Sequence, residues 1–163
     1  MRHVIPSLLL TGCLAHPGAL ALSAQGGAAA GKPTVHACSL LTKALVMKVS
    51  PESDNKLLFV VPAQEESLGS SGSACGYGGI QLQIDPPFTF ETIRKTYAKE
   101  VTAVPNVGDG AYFRDNRGRY AELFARVGAR LFTIQMSVPM GRTADSIKPN
   151  VVALANEIVP KLK

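Results

Sequence analysis

The sequence predicts an α+β domain: an antiparallel sheet of about five strands with helices packed mainly on one face. Three observations carry this. Ile80-Gln81-Leu82-Gln83-Ile84-Asp85 alternates apolar and polar residues, the period of a half-buried strand. Between positions 110 and 138, three alternating segments are separated only by short turns, which implies an antiparallel meander. Two stretches, 90–104 and 144–162, repeat apolar residues at helical spacing.

The chain opens on an address. Arg2 and His3 precede an apolar run, Val4 to Leu10, that resumes through Leu22, and small residues follow from Ser23 to Ala30. A basic start, an apolar middle and a small-residue exit mark a secretory signal peptide over 1–24, cleaved between about residues 21 and 30. Ala19-Leu20-Ala21 suits ordinary signal peptidase. Leu10-Thr11-Gly12-Cys13 reads like a lipobox, which would make Cys13 a lipidation site, but hydrophobicity continues beyond Cys13. Soluble export is therefore favoured, to the periplasm or outside, with a membrane-anchored lipoprotein as the alternative. Residues 25–35 form a flexible lead and 36–163 a single domain. Removing the leader leaves roughly 135 to 140 residues, enough for a substantial core. No later stretch approaches ~18 apolar residues, so no transmembrane span is expected in the mature chain.

Within the domain, Ser39-Leu40-Leu41 forms a tight apolar turn. Thr42 offers a hydroxyl cap to a helix over Lys43–Val49, which Ser50-Pro51 ends. Leu57-Leu58-Phe59-Val60-Val61 has strand length and stops at Pro62. Residues 63–74 are polar and Gly/Ser-rich, the composition of a mobile surface loop. After the strand at Ile80, the stretch Phe90 to Val104 places Phe90, Ile93, Tyr97, Val101 and Val104 on one helical face, and Pro105 closes it. Strands follow around Ala111-Tyr112-Phe113, over Tyr120–Val127 and over Leu131–Val138, with turns at Asp115-Asn116-Arg117-Gly118 and Gly128-Ala129. Thr143 then caps a helix from Ala144 to Leu162 whose stripe is Ile147, Val151, Leu154, Ile158 and Leu162; Pro149 bends or restarts it.

The formal charge is +5, and only Arg2 leaves with the leader, so the mature chain stays mildly basic. Tryptophan is absent and aromatic residues are 6% of the chain, too few for nucleic-acid stacking platforms, and export argues against such a partner as well. Cys38 and Cys75 remain after cleavage, and an even pair in an exported domain reads most simply as a disulfide. It would close a loop of about 38 residues, worth roughly 4 kcal/mol in the chain-entropy model. The alternatives are redox or metal chemistry, but Cys75 has neither a CxxC partner nor a histidine at ligand spacing.

Catalytic patterns are weak. Gly108-Asp109-Gly110 reads as a tight turn into a strand before it reads as an acid. Cys75-Gly76-Tyr77-Gly78-Gly79 lacks the GK[ST] of a phosphate loop, and Ser39 lacks a nucleophile elbow. No cofactor and no metal site is predicted. On the strand from Tyr120, the face opposite Ala121, Leu123, Ala125 and Val127 carries Tyr120, Glu122, Phe124 and Arg126. With the helices on the other face, Tyr120, Phe124 and Arg126 would lie exposed beside Arg114, Arg117 and Arg119, an aromatic and arginine strip suited to a partner.

Several landmarks recur in order: Ala37-Cys38-Ser39-Leu40-Leu41-Thr42-Lys43, Cys75-Gly76-Tyr77, and Val104-Pro105-Asn106-Val107-Gly108-Asp109-Gly110-Ala111-Tyr112-Phe113. Over roughly 37–138 the chain resembles small bacterial secreted proteins and lipoproteins of unknown function with a CSLLT…CxY…VPxVGDxAYF pattern. The resemblance implies an exported α+β domain with its two cysteines bridged, and it supplies no catalytic residue. Such proteins often carry Glu at the position of Leu45, so the Thr42 cap here is unreciprocated. The expectation is an exported, monomeric, non-catalytic binding or accessory domain of the envelope, meeting a protein or an anionic cell-wall or lipid component. The alternative is an extracytoplasmic sensor or small-ligand carrier with a cavity between sheet and helices; a hydrolase using Asp109 and His36 ranks below both.

Overall fold

The computed structural model describes residues 34–50, 63–69 and 72–163. The signal peptide expected over 1–24, Cys13 and the strand expected at 57–61 lie outside these residues.

Seven strands form one antiparallel sheet: β1 (Gln64–Leu68), β2 (Gly72–Tyr77), β3 (Ile80–Ile84), β4 (Val101–Val104), β5 (Gly110–Asn116), β6 (Tyr120–Val127) and β7 (Arg130–Ser137). Their spatial order is β1-β2-β3-β7-β6-β5-β4. The helices are α1 (Ala37–Leu40), α2 (Lys43–Val49), α3 (Phe90–Thr96) and α4 (Ala144–Leu162). The α+β class and antiparallel sheet stand as predicted, but the strand number is seven rather than about five among the described residues.

Two elements account for the difference. Residues 63–74 are not a loop: they hold β1 and the first half of β2, which pair from Gln64↔Gly76 to Leu68↔Gly72. Hydropathy does not mark this hairpin because β1 is an exposed edge and β2 is built from small residues, Gly72, Ser73, Ala74, Cys75 and Gly76. At Gly72 the smallness is required: a Cβ there would stand 2.4 Å from the Asp85 carbonyl oxygen. The second correction is the helix expected over 90–104. α3 stops at Thr96, and Val101–Val104 pairs as β4 with β5, from Val101↔Arg114 to Val104↔Ala111. Apolar residues at 93, 97, 101 and 104 fit a helical period, yet the β-branched run Val101-Thr102 and a free edge on β5 draw the chain into the sheet.

The meander is as the alternation predicts. Ala121, Leu123 and Ala125 of β6 and Phe132 and Ile134 of β7 are fully buried on one face, with Leu82 and Ile84 of β3. α4 lays Ile147, Val151, Leu154, Ala155 and Ile158 on that face. It is one continuous helix, capped by reciprocal Thr143–Ser146 bonds. Pro149 lies inside it, and the carbonyl it leaves without a helical donor belongs to Asp145, an exposed residue. α2 packs on α4, joined by Lys48–Glu157 (2.5 Å) and by the Asn150 amide donating to the Val49 carbonyl at the end of α2 (2.5 Å). The Thr42 hydroxyl caps α2 as predicted, accepting from the Leu45 amide.

α1 is fastened to β2. The Cys38–Cys75 disulfide is present. Beside it the buried Ser73 hydroxyl accepts from the Ala37 amide (2.9 Å) and donates to the Val35 carbonyl (2.6 Å). Thus α1, α2 and α4 share the inner face, while among the described residues only α3 covers the opposite one, through a small cluster of Ile93, Phe124 and Leu131. Among the described residues no helix is long and apolar enough to cross a membrane.

Candidate functional site

The outer sheet face carries side chains in ladders set by the register. One ladder runs Gln81↔Gln135↔Glu122↔Arg114 across β3, β7, β6 and β5; the next runs Gln83↔Thr133↔Phe124↔Tyr112. α3 crosses above the second. Its apolar residues Phe90 and Ile93 and the Tyr97 that follows its last turn are spaced i, i+3, i+7 and so share one face. Phe90 stacks on Tyr112 at 4.9 Å and Tyr97 on Phe124 at 6.4 Å between ring centroids. The Thr89 hydroxyl caps the helix by accepting from the Thr92 amide.

Because α3 is short, it covers only part of the face. A cavity of about 320 Å³ lies between it and the sheet, floored by the glutamines and Thr133 and walled by Phe88, Ile93 and Tyr97. At one end stands a charge network in which Arg114 and Glu122 are mostly covered and Glu100 lies at the surface. Arg114 donates to Glu100 (2.9 Å) and to Glu122 (3.1 Å), and its guanidinium lies 3.8 Å above the centre of the Tyr97 ring. Glu122 also accepts from Asn116 (2.8 Å) and Gln135 (3.1 Å). Every oxygen of that carboxylate is engaged, which is what a buried charge requires. Gln81, Gln83 and Thr133 are held more loosely, by side-chain contacts of 3.4 Å.

The predicted strip is divided by this arrangement. Phe124 is not exposed: it retains 7% of its surface, because α3 packs over it. Arg114 is taken into the network. Arg117, Arg119 and Tyr120 remain exposed at the β5–β6 turn. Arg126 is exposed near the other end of β6, with its guanidinium 5.6 Å from the Phe90 ring centre. Tyr120 and Arg126 stand six residues apart on one strand, about 20 Å.

Asp109 and His36 do not meet. The Asp109 carboxylate accepts from the Gly128 amide (2.6 Å) and its own amide donates to the Arg126 carbonyl (2.7 Å), so it ties the start of β5 to the β6–β7 turn. Gly108 before it has φ +57°, and a Cβ there would meet the Arg126 carbonyl oxygen. His36 pairs with Glu65 of β1 at 3.3 Å, four strands away from β6 in the sheet order. At about 4.8 Å per strand that is of order 19 Å.

The cavity floor was not singled out from the sequence. Its signal lies in the polar positions of the β3 alternation, Gln81 and Gln83, and in Glu122 on the outer face of β6, which a helix over 90–104 gives no reason to cover. Fold and recess together define an α+β sheet domain with a partly roofed, polar-floored cavity. No protein-family model, curated protein or solved structure matches the chain, so no residue role is carried over from a relative. The resemblance to small secreted bacterial proteins remains an expectation.

Proposed function

We propose that the protein is an exported, non-catalytic binding module of the bacterial envelope, and that its ligand seat is the cavity between α3 and the outer face of the sheet. One observation carries this reading: the partly roofed outer face leaves a recess of about 320 Å³ in which Gln81, Gln83, Thr133 and Gln135 lie beside apolar Phe124 and Ile93 rather than being packed over. A helix that merely completed a core would close on such a face without leaving ligand-sized space. The Cys38–Cys75 disulfide supports an oxidising compartment.

Native mass spectrometry of the protein isolated from its host tests the seat. A small-molecule adduct is expected, lost on denaturation and lost in Thr133→Trp, which fills the cavity. The same mass for native and denatured protein would overturn the seat. Intact mass under denaturing conditions tests export: a cleaved N-terminus and the loss of two hydrogens are expected, with acyl chains only if Cys13 is the processed residue. A chain retaining Met1 and two free thiols would overturn it.

A second reading is favoured by the β5–β6 turn, where Arg117, Arg119 and Tyr120 are exposed together. This end suits an envelope protein or an anionic cell-wall or lipid component. Retention on phosphatidylglycerol vesicles should fall in Arg117→Glu/Arg119→Glu; unchanged retention would remove lipid from that reading.

A further inference from the structure

The groups the cavity has left to offer indicate the class of its ligand. Building on the cavity as the seat, we propose that it takes an uncharged, hydroxyl-rich ring compound: a saccharide unit. The charges inside the recess are already matched. Arg114 is shared by Glu100 and Glu122, and Glu122 is saturated by Arg114, Asn116 and Gln135. An anion would meet the Glu122 carboxylate beside a guanidinium already engaged by two carboxylates, and a cation would have to compete with Arg114 for Glu122. Neither sign of charge is selected.

What remains available is the set of Gln81, Gln83 and Thr133, with Thr96 at the wall. Amide and hydroxyl groups each donate and accept, as sugar hydroxyls do. The Gln83–Gln81 and Thr133–Gln83 contacts are 3.4 Å long, beyond the usual hydrogen-bond range, so a ligand replaces them at little loss. The walls supply the complementary part. Phe88 lines the recess with 36% of its surface exposed, and Ile93 lies deeper. A sugar ring presents C–H groups on its faces and hydroxyls at its edge, matching an aromatic wall above a polar floor. A fatty chain would bury the two amides without partners. The volume is at the low end for ligand pockets. It suits one or two pyranose rings better than an extended peptide, which docks along a sheet edge or a long groove.

The test is a ¹H–¹⁵N NMR titration of the labelled protein with N-acetylglucosamine, its β-1,4 disaccharide and maltose, alongside inorganic phosphate and laurate. At least one sugar should shift the side-chain amide signals of Gln81 and Gln83 saturably. Gln83→Leu should then weaken binding roughly tenfold, the loss of a hydrogen bond with a buried partner left unpaired. Phe88→Ala, at the rim, should also weaken it, and Lys161→Ala, on α4, should not. Dispersion of the remaining amide signals certifies that each variant is folded. If laurate or phosphate moves the Gln81 and Gln83 signals and no sugar does, the saccharide assignment falls while the seat stands. If no sugar moves them, or sugars act only elsewhere, the assignment also falls, and the native-mass adduct decides separately whether the cavity is a seat at all.

Discussion

Glu122 concentrates the energetics of the outer face in one side chain. It is nearly inaccessible, accepts from three residues, and balances a guanidinium that is itself mostly covered. Glu122→Ala should destabilise the protein by about 2 kcal/mol in urea unfolding, because Arg114, Asn116 and Gln135 lose their acceptor together. Glu100 keeps Arg114 partly paired and limits the loss. A paired Arg114→Met/Glu122→Leu variant should recover part of it, since two apolar groups leave no orphaned charge. Arg117 is a different kind of residue problem. It sits at φ +55° in the β5–β6 turn, before Gly118, where a side chain with a Cβ is disfavoured. Arg117→Asn should raise stability by about 0.5–1 kcal/mol, because Asn-Gly is the preferred pair for a turn with two positive φ angles. At the surface, Lys48 donates to Glu157 and holds its carboxyl below the ordinary value. A lowered carboxylate stabilises the fold above its unfolded pKa and loses that contribution as the pH falls through the folded one. The gap between the wild-type protein and Glu157→Gln should therefore close in urea melts taken at progressively lower pH.

At the scale of elements, legibility depended on whether a segment's own side chains decide its structure. α4, β3 and β6 were readable to the residue or nearly so, because each carries an unbroken apolar period on the face turned to the main core. β1 and β2 were not, since an exposed edge and a strand of small residues carry no apolar alternation; their identity is set by pairing with β3. The stretch from Phe90 to Val104 satisfied a helical period throughout, and only the edge of β5 distinguishes its last four residues. That one misreading hid the cavity, because a helix continued to Val104 gives no reason for Arg114 and Phe124 to be covered from above by a short α3. The disulfide was legible from the cysteine count and the expected compartment alone. Within α4, Pro149 is tolerated rather than needed. Pro149→Ala should stabilise by about 1 kcal/mol in thermal or urea melts, the restored hydrogen bond outweighing the added freedom of the unfolded chain.

Across the whole molecule, the Cys38–Cys75 bond joins the first helix to the sheet across a separation of 37 residues. Cys38→Ser/Cys75→Ser should cost roughly 4 kcal/mol, read from the urea midpoint of oxidised against variant protein. Ser73 holds the same junction by hydrogen bonds, so the variant should still fold with α1 in place at low denaturant.

The two faces of the sheet are unequally clad. The inner one carries a deep layer from three helices, whereas α3 is held by Ile93 packed with Phe124 and Leu131 and by two aromatic stacks. Seven residues so thinly anchored open at a smaller free-energy cost than α4 does. In deuterium exchange the amides of α3 should exchange well before those of α4. A solute should then be able to reach the polar floor through brief excursions of one short segment while the main core stays shut.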